Sequence, residues 1–102
     1  RLLAELDRIV DILRDRGVEK VILFGSLASD NIGSTSDIDL VVVEQTGKRF
    51  LERLDDIYSL LQPRVGVDVL VYTPGEIEQL RKRGGFVRRA LEEGMVLYEK
   101  ER

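Results

Sequence analysis

The chain has 102 residues, 43% of them hydrophobic, a formal net charge of -3, and neither Cys nor His. That length supports a single domain, residues 1–102, around one modest core. Without thiols or imidazoles there are no Cys or Ser-His nucleophiles, no zinc sites built on those ligands and no disulfides. The acidic balance argues against a general nucleic-acid binder, which gains affinity from a basic footprint.

In chain order, Leu2, Leu3, Leu6, Ile9, Val10 and Leu13 recur at three- and four-residue spacing and predict an amphipathic helix that stops at Gly17. Residues 20–24 read as a strand closed abruptly by Gly25-Ser26, and a short helical or looped piece runs on to Ser36. A second strand is expected over residues 37–44, broken by Thr46 and Gly47. Phe50, Leu51, Leu54, Ile57, Tyr58 and Leu61 mark a second helix over residues 48–62, ended by Pro63.

Residues 65–72 form a third strand with Val65, Val67, Val69 and Val71 on one face and Gly66, Asp68, Leu70 and Tyr72 on the other. Both faces are largely apolar, which predicts a central strand covered on both sides. Asp68 would then be a buried carboxylate in need of a metal or a basic partner. Thr73, Pro74 and Glu76 compose a helix start, with Thr at the cap, Pro at the first position and Glu three residues past the cap. That helix runs to about Arg83, Gly84-Gly85 interrupts, and another helix spans residues 86–93. Gly94 is expected to cap that helix, a last strand follows over residues 95–98, and the tail beyond it is expected to fray.

This alternation of helix and strand is that of an α/β or α+β domain. No apolar run exceeds strand length and no leader precedes them, so neither a membrane span nor a secretory signal is expected, and the expected location is cytoplasmic. Arg81, Lys82, Arg83, Arg88 and Arg89 read as a solvated helix face or as a docking surface for an acidic partner. Tyr58, Tyr72 and Tyr98 fall in apolar periodic positions and read as core or rim packing.

Chemistry concentrates between the first two strands. Asp37 and Asp39 are two residues apart, so on a strand they share a face, with Cα atoms roughly 6 to 7 Å apart. Magnesium takes oxygen ligands and usually one or two carboxylates plus substrate phosphate oxygens. Two such ions can orient an attacking oxygen and stabilise a leaving pyrophosphate. Gly25, with no side chain in the way, and the Ser26 hydroxyl suit a triphosphate, and Asp68 would add a third metal ligand or the base for an attacking hydroxyl.

The Gly25-Ser26 pair, the gap, Asp37-Ile38-Asp39 and a later strand bearing Asp68 resemble the minimal nucleotidyltransferases of the DNA polymerase beta superfamily. The resemblance covers nearly the whole chain. It implies a small mixed β-sheet flanked by helices, the polymerase beta-like palm. It also implies catalytic and metal-binding roles for Asp37, Asp39 and Asp68 with two Mg2+ ions, and nucleotide binding, with ATP as substrate, by Gly25, Ser26 and Ser36. It further implies a partner, a small helical HEPN protein, and a toxin-antitoxin role in which AMP passes from ATP to a tyrosine of the toxin. The alternative is a catalytically weak or inactive module that neutralises a HEPN ribonuclease by binding it.

Many relatives carry Arg and Gly after Gly-Ser-x-Ala, where this chain has Ser29 and Asp30, which removes a bidentate phosphate donor and adds a negative charge. These 102 residues are not expected to include a further domain that holds an acceptor, so a partner or a second subunit is expected to supply that site. The last strand and the basic helix are the surfaces open to homo-oligomer formation.

Overall fold

The computed structural model describes residues 2–25 and 37–101. Over these residues the elements are α1 (Leu2–Arg16), β1 (Lys20–Phe24), β2 (Ile38–Val43), α2 (Phe50–Leu61), β3 (Val67–Tyr72), α3 (Pro74–Arg83), α4 (Phe86–Glu93) and β4 (Met95–Glu99). The strands form one mixed sheet in the order β3-β2-β1-β4. β1 pairs antiparallel with β2 and with β4, whereas β2 and β3 run parallel, joined by a crossover through α2.

Alternation along each strand sorts the side chains into two layers. Val21 and Leu23 of β1, Leu40 and Val42 of β2, and Val67, Val69 and Val71 of β3 pack against Leu6, Ile9 and Leu13 of α1 and Ile57 and Leu61 of α2. On the opposite face Ile22 and Val41 meet Ala90 and Leu91 of α4 and Ile77 of α3. All six residues of β2 are buried, so β2 is the innermost element.

The helix start at Thr73 is as its sequence implies. The Thr73 hydroxyl accepts from the Glu76 N–H at 3.2 Å, and the Glu76 carboxylate accepts from the Thr73 N–H at 2.9 Å. Two ionic groups tie the layers together. Arg16 at the end of α1 bonds Glu44 at 2.5 Å and also Asp56 of α2. The buried Arg53 of α2 donates to the Val71 carbonyl at 3.2 Å and to Glu76 at 2.6 Å, joining α2, β3 and α3. Among the described residues no helix is long and apolar enough to cross a membrane.

The structure corrects the reading of the third strand. β3 is not central: it lies at the edge of the sheet and pairs only with β2. Both of its faces are apolar because helices lie over them, α2 on one and α3 on the other, and face burial says nothing about lateral neighbours. The strand starts at Val67, and Asp68, near its beginning, is exposed rather than buried. Water therefore solvates its carboxylate and no buried partner is required.

Candidate active site

The site forms where β1 ends and β2 and β3 begin. Phe24 lies opposite Asp39, and Asp39 lies in register with Asp68, so the three side chains form one row across the sheet on the face that carries α3 and α4. The next row, Ile22, Val41 and Leu70, is apolar and partly roofed by α4. The two carboxylates thus stand side by side on strands about 4.8 Å apart, at the margin of the roofed area. Asp39 is buried at 5% exposure, and Asp68 opens to solvent.

Gly25 closes β1 with φ +78°, a left-handed conformation that side chains rarely adopt. A Cβ at that position would press into the Asp39 carboxyl group, 3.0 Å from its Cγ and 3.2 Å from its Cβ. The glycine therefore makes the room in which the Asp39 carboxylate lies. Phe24, just before it, is held by an edge-to-face contact with Phe86 at the start of α4, the ring centroids 5.1 Å apart. Phe86 remains 44% exposed, an aromatic wall on the same side of the sheet as the acids.

Asp37 sits one residue before β2. Its Oδ2 accepts from the Gly66 N–H at 3.2 Å, while the Gly66 carbonyl accepts from the N–H groups of Asp37 and Ile38 at 2.9 and 3.0 Å. Gly66 belongs to the turn that enters β3, and that turn is anchored to α1. The Arg64 N–H donates to Glu5 at 2.7 Å, and Glu5 is gripped by the Arg8 guanidinium at 2.8 Å. The Arg8 hydrogen bond first, and the Arg64 N–H second, hold the Glu5 carboxyl down at about 2.

The structure thus sets Gly25, Asp39 and Asp68 together and turns Asp37 toward Gly66. Among the described residues no group of three or more acids is placed to hold a metal ion. The Asp39 and Asp68 pair is nevertheless an all-oxygen donor set beside a glycine that leaves the carboxylate room, and such a pair fits a hard cation whose remaining ligands come from substrate phosphate. Ser26, Ser36, Ser29 and Asp30 lie outside the described residues. Among the described residues Arg64 forms no ion pair with Asp68; its main-chain N–H donates to Glu5 instead. Of the basic group, Arg81 pairs with Glu78 at 2.7 Å and Arg88 approaches Glu92 at 3.7 Å, and all five side chains are exposed.

Two residues that shape this site carry no motif. Gly66 could have been found only as a glycine preceding a strand, and Tyr58 reads as packing, yet its hydroxyl donates to the Val67 carbonyl at 3.0 Å and accepts from the Val69 N–H at 2.9 Å.

The chain is 36% identical over 75 residues, 74% of its length and 80% of the relative's, to a protein of Methanocaldococcus jannaschii named a "putative protein adenylyltransferase". Its fold matches the crystal structure of a "putative nucleotidyltransferase" from Sulfolobus solfataricus with a TM-score of 0.69 at 22% identity, covering 98% of this chain and 82% of that one. The family profile described as "nucleotidyltransferase domain" matches residues 6–98. On this match, with the mixed sheet and the acids at the end of the Gly25 turn, the chain belongs to the nucleotidyltransferase domain family.

Proposed function

We propose that this nucleotidyltransferase moves AMP from ATP to a hydroxyl of another protein, a tyrosine of a small helical HEPN toxin, and so serves as the antitoxin of the pair. The observation that carries the proposal is the row of Phe24, Asp39 and Asp68 beside Gly25, which sets two carboxylates on neighbouring strands next to a turn whose glycine leaves the Asp39 carboxylate room. The similarity to the archaeal adenylyltransferase-like protein supports protein as the acceptor class.

In this scheme the acceptor oxygen forms a bond to the α-phosphorus, the bond from that phosphorus to the bridging oxygen breaks, and pyrophosphate departs with the electron pair. Asp68, exposed at the sheet edge, is open to an incoming acceptor, and its carboxylate takes the hydroxyl proton. Asp39, buried and backed by Gly25, is the fixed member of the pair. Magnesium held by Asp39 and Asp68, with Asp37 as a further oxygen donor, would supply charge neutralisation for the phosphates. Phe24 and Phe86, in edge-to-face contact, flank the row on the β1 side.

The second reading, neutralisation by binding alone, draws support from Asp37, whose carboxylate is engaged by Gly66, and from Ser29 and Asp30 in place of the usual Arg-Gly. Transfer of label from α-labelled ATP to the purified HEPN partner separates the two. Labelling by wild type that disappears in Asp39→Asn supports the enzyme. Full neutralisation of the toxin by Asp39→Asn without labelling supports the binder.

A further inference from the structure

We infer that Tyr58 is a positioning residue for Asp68, its hydroxyl replacing the missing neighbour strand at the one place where the edge of the sheet carries a site carboxylate. The inference rests on the proposed reading of Asp39 and Asp68 as partners in nucleotidyl transfer.

β3 has β2 on one side only, so every second N–H and C=O along it turns away from the sheet. On that open side the Tyr58 hydroxyl, reaching from α2, donates to the Val67 carbonyl at 3.0 Å and accepts from the Val69 N–H at 2.9 Å. One oxygen thereby spans the two residues that bracket Asp68, as a strand would. The main chain of Asp68 is turned the other way, toward β2, where it lies in register with Asp39.

Asp68 has no other tether. Its side chain is exposed and makes no hydrogen bond or ion pair among the described residues. Its distance from Asp39 is therefore set by its main chain, which β2 holds from one side and Tyr58 from the other. Tyr58 itself is fixed by its ring, which packs against the core between α2 and the sheet. Loss of the hydroxyl leaves that packing in place and frees the edge at residues 67–69.

The test is Tyr58→Phe, with Tyr98→Phe as control, since Tyr98 is a second partly buried tyrosine against the same core but lies on β4, which pairs with β1 rather than with the Asp39 and Asp68 strands. Three quantities are read: the Asp68 carboxyl 13C resonance in metal-free protein, Mn2+ affinity from paramagnetic line broadening, and AMP transfer to the partner. The expected result for Tyr58→Phe is a moved Asp68 resonance, Mn2+ affinity and kcat each lower by about tenfold, and a KM for ATP within about twofold of wild type. The control should match wild type in all three. An Asp68 resonance and Mn2+ affinity unchanged in Tyr58→Phe would overturn the inference. If instead wild-type transfer is indifferent to Asp39→Asn, the reading of the site fails, and the metal-free Asp68 resonance still decides the role of Tyr58.

Discussion

At Gly25 a single methyl group probes the geometry of the site. Alanine there would adopt the left-handed conformation at a cost of about 1–2 kcal/mol and drive its Cβ into the Asp39 carboxyl group. Gly25→Ala should therefore melt cooperatively at a slightly lower temperature while AMP transfer falls by about 100-fold; equal activity would show that Asp39 need not lie where it does. Gly94 is a glycine for a different reason. Its backbone is extended at φ -74°, but a Cβ would come within 2.6 Å of Ile22 Cγ2 and 2.9 Å of the Leu23 carbonyl, because the end of α4 rests directly on β1. Gly94→Ala should cost about 1–3 kcal/mol in urea unfolding through overpacking. The sequence marks Gly25 as closing a strand and Gly94 as capping a helix; the crowding at both, and the left-handed φ at Gly25 alone, appear only in the structure.

Among the elements, α2 has the most to hold. Its Arg53 is buried at 7% exposure and bonds the Lys48 carbonyl, the Val71 carbonyl and Glu76, so three segments lose a shared donor if it is removed. Arg53→Met should destabilise by about 2–3 kcal/mol, as expected for hydrogen bonds to a charged group, measured by chemical denaturation. Thr73→Ala, which removes the cap of α3, should cost about 1 kcal/mol. The helix boundaries and this cap were legible in the sequence because periodicity and capping chemistry are local. The place of β3 was not. Val67, Val69 and Val71 pack on α2 while Leu70 and Tyr72 lie on the other face, so the strand has the composition of a central one, and its open edge is met by a tyrosine whose periodic position marks it only as packing. Asp68 was singled out for the wrong reason, as a misfit in a buried strand. On the face toward α3 it lies ahead of the covered residues, exposed and in register with Asp39. Asp37 and Asp39 were legible as a pair, but the Gly66 bond that turns Asp37 toward the β3 entry depends on a contact across 29 residues, which no local pattern records.

For the whole molecule, acid stability follows from its carboxylates. Arg8 and the Arg64 N–H hold Glu5 at about 2 against an ordinary 4.5; Arg16, then Lys48, lower Asp56; and Arg53, against some burial cost, lowers Glu76. A carboxyl lowered in the folded state contributes stability that is present above its unfolded value and is lost as pH falls through its folded value. For Glu5 that window runs from about 4.5 down to about 2. With no histidine in the sequence, melting temperature should be nearly level between about pH 5 and 8 and fall below that range. Glu5→Gln should flatten part of the acid slope; an unchanged slope would remove Glu5 from the account.

The proposed transfer requires Asp39 and Asp68 to act as one unit across the β2 and β3 pair. The most direct measurement of that requirement is a double-mutant cycle on AMP transfer from α-labelled ATP to the partner protein, using Asp39→Asn, Asp68→Asn and the two combined. Each single substitution should lower the rate by at least about 100-fold, and the double variant should lose little more than either alone. Losses that add independently, or a single variant that retains wild-type transfer, would contradict it.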